Sequence, residues 1–159
     1  MEATKNMHDM QTMSYGKFWI MMLISFVIMY AIMFLNVDDA GHIYVSITRT
    51  YMALLMVSAM APLMMGMMGM MYPNKKLNRL IIFGSIIAFI AVVFMLRTQT
   101  FVGDTQYMKG MIPHHSSAIL TSKHADIKDP EVKKLSEDII KAQEKEIAEM
   151  KAMLERLNR

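Results

Sequence analysis

The stretch Tyr107–Ile140, "YMKGMIPHHSSAILTSKHADIKDPEVKKLSEDII", decides how the chain is read. It holds two helical patterns separated by a short polar turn. In the first, Tyr107, Met108, Met111, His115, Ala118, Ile119 and Ser122 recur at helical spacing, which predicts a helix from about Asp104 to about His124 with those residues inward. Asp104, following Gly103, is the expected cap. In "ADIKDPE", Asp129 can cap a new helix, Pro130 suits its first position and Glu131 favours the positive end of its dipole. The second helix should run to about Leu157, burying Val132, Leu135, Ile139, Ala142 or Gln143, Ile147, Met150 and Leu154. Lys133, Lys134, Glu137, Lys141, Lys145 and Glu149 form its solvated side. The fold class is therefore all-α, with a helical hairpin at the carboxy-terminal end.

Upstream the composition changes. Three apolar runs, about Phe18 to Leu35, Ile43 to Met71 and Leu80 to Leu96, are each long enough to cross a hydrocarbon core of about 30 Å as a helix. Only the second carries a charge, Arg49, near its start. The first run is longer than the apolar part of a signal peptide, and no small-x-small site follows it. Residues 97–159, by contrast, hold 11 of the 17 basic and 10 of the 14 acidic side chains, which marks a soluble region. The expected division is a Met/His-rich tail over 1–15, a three-helix transmembrane region over 16–97 and the hairpin domain over 98–159.

Basic residues set the expected orientation. The loop "NVDDAGH" has none, whereas "YPNKKLNR" carries Lys75, Lys76 and Arg79, and Lys5 and Lys17 precede the first run. The amino terminus is thus expected in the cytoplasm and the hairpin on the outer face, the periplasm in a bacterium with two membranes. The basic excess is scattered, so a nucleic-acid partner gains no support.

There is no cysteine, which excludes disulfides and thiolate metal sites, while methionine occurs 22 times. A thioether is both a flexible apolar filler and a soft ligand. Met108, Met111 and His115 fall on one helical stripe at i, i+3 and i+7, and His114 is turned from His115 by about 100°. The adjacent rings cannot readily chelate one ion together. Counting outward from the turn places His115 opposite about Ile140 and Met111 opposite about Glu144, with Gln143, Ile147 and Met150 near. The candidate metal set is Met108, Met111, His114, His115 and Met150.

Thioethers and imidazoles without cysteine favour copper, Cu(I) above all, with zinc as the alternative through the histidines. Pro113 leaves the Lys109 carbonyl without its helical donor, so the ligand stripe is expected to kink or to begin its regular helix there. Di-iron bundles use a Glu-x-x-His pair, which this chain lacks. The competing account is packing: methionines as core filler, and histidines satisfied inside a bundle that docks on a membrane complex. His124 is read as a helix-end residue.

The tail repeats the theme in "MHDMQTM", with Met7, Met10, Met13 and His8. In "PLMMGMMGMMYP", methionine pairs surround Gly66 and Gly69, and are read as adaptable packing that lets helices approach closely. A thioether ladder including Met52, Met56 and Met60 is the alternative.

"YMKGMIPHHSSAIL" followed by "HADIKDPEVKKLSEDIIKAQEKEIAEMKAML" closely resembles the bacterial family called domain of unknown function 305, over about residues 104–157. "TRTYMALLMVSAMAPLMM" and "LNRLIIFGSIIAF" resemble its membrane-anchored branch. The resemblance implies a ferritin-like bundle of two-helix repeats and an association with copper binding and tolerance outside the cytoplasm. By position it carries over Met108, Met111, His114 and His115 as motif residues, with Gln143 and Met150 on the second helix. One hairpin of this size is too small to be comfortable alone, and the chain has one repeat, so a homodimer completing a four-helix bundle is expected. The expected function is copper sequestration or transfer without catalysis, involving membrane lipid, copper and a copper-handling partner protein. The alternative is a structural or assembly subunit of a membrane complex.

Overall fold

A computed structural model describes residues 14–158. It consists of α1 (Tyr15–Ile32), a short 3-10 turn (Ala40–His42), α2 (Ile47–Met68), α3 (Lys75–Thr98), α4 (Asp104–His124) and α5 (Pro130–Leu157). No strand occurs among the described residues. The helices α1, α2 and α3 are long and apolar enough to cross a membrane.

Their ends depart from the apolar runs for local reasons. The helix α3 starts at Lys75, five residues ahead of the expected Leu80, because Asn74 Oδ1 accepts from the N–H groups of Lys76 and Leu77 and caps it. The polar "KKLNR" is therefore its first turn. At the other end of α2, a Cβ on Gly69 would lie 2.6 Å from the Met65 carbonyl oxygen, so the close approach that ends this helix requires glycine. Pro62 is accommodated inside α2.

The chain forms two compact units. The first joins α1 as far as Met29 to Tyr51–Thr98. Its core consists of Phe18 and Met22 from α1, Ala61 and Met65 from α2, Tyr72, and Ile81 from α3. Tyr15 donates to Asn78 Oδ1 at 2.6 Å, and Asn78 Nδ2 donates to the carbonyls of Tyr72 and Gly69. These bonds tie the 69–74 turn to both neighbouring helices and satisfy polar groups that would otherwise be costly in an apolar unit.

The second unit joins Tyr30–Thr50 to Gln99 and the residues beyond it. The segment that the sequence presents as a linker between two membrane helices is thus packed with the carboxy-terminal hairpin. If the three apolar helices cross a membrane, the two crossings by α2 and α3 return the chain to the side of the 33–46 segment, which agrees with its grouping with the hairpin. Gln106 of α4 accepts the Ile47 N–H at 3.0 Å, and Thr48 donates to Gln99 Oε1 at 3.1 Å, so the start of α2 is held by the hairpin's own approach. Arg49 is used inside this unit: its guanidinium donates to the Met33 carbonyl and lies 4.5 Å from the centre of the Phe34 ring.

In the hairpin, α4 and α5 pack along their lengths. Asp129 accepts from the N–H groups of Glu131 and Val132, with Pro130 first in α5, as the sequence requires. The cap of α4 is Gly103, without a side-chain bond, and Asp104 is instead its first helical residue, where its charge suits the dipole.

Candidate metal centre

The buried stripe of α4 is Met108, Ile112, Ser116 and Ile119, together with Pro113. This corrects the expected inward stripe of Met108, Met111 and His115: Met108 is in the core, while Met111 and His115 flank it half-buried. Tyr107, also expected inward, is exposed. Both stripes obey helical spacing, and packing chooses between them. The helix is covered on two sides, by α5 and by the 36–46 segment, so its buried arc turns toward Ile112 and Ser116. The helix continues through Pro113 without a break.

On α5 the expected inward residues Val132 and Leu135 are exposed, and Ser136 is buried in their place, donating to the Ser122 carbonyl at 3.2 Å. Further along, Ile147 and Leu154 are buried as expected, with Ile140 and Met150 packed against them. Met108, Ile112 and Ile119 complete that cluster. Two of the candidate ligands, Met108 and Met150, therefore belong to one core.

His115 departs from the counted register. Its Nδ1 lies 3.0 Å from Glu146 Oε2, six residues beyond the expected Ile140. Side chains on a helix lean toward its amino terminus, so His115 reaches away from the turn and Glu146 reaches back toward it, and the two meet although their backbones are offset. Despite this contact, Nδ1 is a buried atom without a hydrogen-bond partner. Burial pulls the His115 imidazole below its ordinary value; Glu146 opposes this and His114 adds a smaller push downward. Burial wins, so the ring is neutral near pH 7 and keeps lone-pair character for a ligand.

His114 is exposed, and its ring is tilted 61° to that of His115 with centroids 6.1 Å apart. The two histidines thus face different surroundings. Among the described residues no three His, Cys, Asp or Glu side chains converge on a metal-sized space. A metal held here would therefore draw on methionine sulfur beside imidazole. The tail residues Met7, His8, Met10 and Met13 lie outside the described residues.

Beside this cluster is a network that the sequence reading missed. Ser116 Oγ, fully buried, accepts the Asp38 N–H at 2.8 Å and lies 2.9 Å from His42 Nδ1. Asn36 donates to Ser117 Oγ, and Lys123 donates to Asp38 Oδ2 at 2.8 Å. That carboxylate pushes Lys123 above the ordinary lysine value, chiefly through the hydrogen bond. A cleft of about 290 Å³ lies among Asp39, His42, Glu144 and Lys151, floored by Ile119 and Ile147. The available signal was "DDAGH": Asp39 Oδ1 accepts the Gly41 N–H, an Asx turn that shapes the segment before it docks.

His42 gives the unit a predicted acid sensitivity. Burial is the main cause holding it below the ordinary 6.5, Lys151 adds to this, and Asp39 and Asp38 oppose it, with Lys123 a smaller downward influence. Above pH 6.5 the ring is neutral whether folded or not, and contributes no pH dependence. As the pH falls through 6.5 the unfolded chain takes up the proton first, so stability declines until the folded ring also protonates. Denaturant unfolding at pH 7.5 and 5.5 should show lower stability in acid, with a shallower decline in His42→Asn; His115 supplies a second contribution of the same sign.

The fold and site define a class: an all-helical protein with three helices fit to span a membrane and a two-helix unit carrying a Met/His cluster. The chain belongs to the family described as Domain of unknown function (DUF305), which matches residues 93–159. It is also 39% identical over 139 residues to an uncharacterized protein of Acanthamoeba polyphaga mimivirus, covering 86% of this chain and 90% of that one. That similarity is too long to be confined to the hairpin and extends into the apolar helices. No solved structure matches the chain.

Proposed function

We propose that the protein is a membrane-anchored copper-binding protein of the family's membrane-anchored branch, which sequesters Cu(I) outside the cytoplasm or passes it to a copper-handling partner, without catalysing a reaction. The observation that carries this reading is the His115 ring, kept neutral by burial, with an unbonded Nδ1. It sits on a helix that also presents Met111 one turn earlier and the core residue Met108 beyond it. Met150 supplies a further thioether on the facing helix. In this scheme His115 and Met111 hold the ion, Met108 and Met150 back it from the core, and exposed His114 receives or hands on the ion. Absence of lysine and arginine from "NVDDAGH" supports the outward orientation. Exposed Val132, Leu135, Met153 and Leu157 on α5 favour a second copy completing a ferritin-like bundle.

The test is competitive Cu(I) titration of the full chain in lipid nanodiscs, comparing His115→Ala with His114→Ala. The former should weaken binding at equilibrium by about tenfold to a hundredfold, the latter mainly slow transfer to a chelator. If neither substitution changes affinity, stoichiometry or transfer, and both lower thermal stability, the cluster is bundle core of a structural subunit instead.

A further inference from the structure

The methionines of the membrane unit are not scattered over its surface. In the run Met64–Met71, Met67 and Met70 point outward and are largely exposed, whereas Met65 is buried and Met64, Met68 and Met71 pack against the core. Met60, one turn earlier, and Met22 on α1 join them. Six thioethers from two helices and the following turn thus gather around one small core. For packing alone, leucine and isoleucine fill such a space with better-defined rotamers.

The same core contains an anomaly. Tyr72 is fully buried, and its hydroxyl has no hydrogen-bond partner. Asn78 and Tyr15 satisfy one another and the carbonyls of the turn, which leaves this hydroxyl as the orphan. A buried hydroxyl without a partner is destabilising, and a native chain that retains such a group calls for an explanation of what uses it. The Tyr72 ring also stands 5.1 Å from Tyr15 and 6.1 Å from Phe18, centre to centre, so three aromatic rings share this core with the thioethers.

We propose that this cluster is a second metal site, specific for a soft monovalent cation such as Cu(I), with Met22 and Met65 as ligands and the Tyr72 hydroxyl beside them. Neutral thioethers supply no charge to offset a divalent ion in an apolar unit, but they bind a soft +1 ion through sulfur, and the neighbouring rings favour a cation. Hard cations are disfavoured, because they take about six or more oxygen ligands whereas this cluster offers thioethers beside a single unengaged hydroxyl. The site rests on the soft-metal reading of the chain but not on the hairpin histidines.

The experiment uses the full chain in nanodiscs, in a background where His8, His114 and His115 are alanine and Met7, Met10 and Met13 are leucine. Cu(I) titration against a competing chelator should still find one bound equivalent, lost on adding Met22→Leu and Met65→Leu, which conserve volume. Tyr72→Phe should leave helix content intact and raise thermal stability without metal, yet weaken Cu(I) binding by about tenfold. X-ray absorption of the copper-loaded background protein should show a shell of sulfur scatterers. A background protein that binds no Cu(I), or variants that bind as the background does, overturns the second site. Because the hairpin histidines are already removed, that result leaves the first site standing, and loss of Cu(I) only on His115→Ala in the native chain does the converse.

Discussion

Ile112→Ala should lower the stability of the hairpin unit by about 3 kcal/mol, among the largest effects of any single truncation in it. Ile112 is fully buried between Met108 and Ile119 on α4 and packs in one cluster with Ile147 and Leu154 of α5. Truncation removes three carbons from a site covered by both α5 and the 36–46 segment, so the surroundings cannot collapse easily into the space. Thermal or denaturant unfolding of the full chain in detergent reads the loss. Leu135→Ala is the control: the helical pattern places Leu135 inward, but it is 59% exposed, and its truncation should cost less than about 0.5 kcal/mol. A large loss at Leu135 with a small one at Ile112 would mean that the buried stripes are the ones expected from the sequence.

Ser116→Val should cost about 2–3 kcal/mol, and its effect should be local. The hydroxyl is the acceptor for the Asp38 N–H and the partner of His42, so a methyl group there leaves both unpaired against a buried surface. Backbone hydrogen exchange should rise in residues 36–46 more than in α5, since docking of that segment depends on this oxygen. Ser117→Ala removes only an exposed contact to Asn36 and should fall within about 0.5 kcal/mol of the parent. Uniform loosening of the hairpin by Ser116→Val would show that the 36–46 segment is not held through Ser116.

These contrasts show where pattern reading succeeds. Three apolar runs interrupted by polar turns leave little choice but three long helices, and Asp129-Pro130-Glu131 starts α5 because cap, proline and dipole agree at adjacent positions. Local chemistry of that kind needs no knowledge of distant neighbours. The Met/His segment was legible as a cluster for the same reason, since residues three, four and seven apart on a helix must be near one another.

The inward arc of α4 was not legible. Helical spacing admits both Met108–Met111–His115 and Met108–Ile112–Ser116–Ile119, and only the covering segment selects the second. Nor does any spacing rule pair His115 with Glu146, or Ser116 with Asp38 and His42, whose separations of 31, 78 and 74 residues are bridged by the fold alone.

The sequence by itself determined the helices, the Asp129 cap of α5, the apolar spans and the concentration of soft donors, because those follow from periodicity, composition and neighbouring residues. Tertiary structure decided which methionines and histidines are buried and which lack partners. The 36–46 segment folds back onto α4, and the turn after α2 is tied between two helices. Burial and satisfaction of a side chain depend on what arrives from elsewhere in the chain.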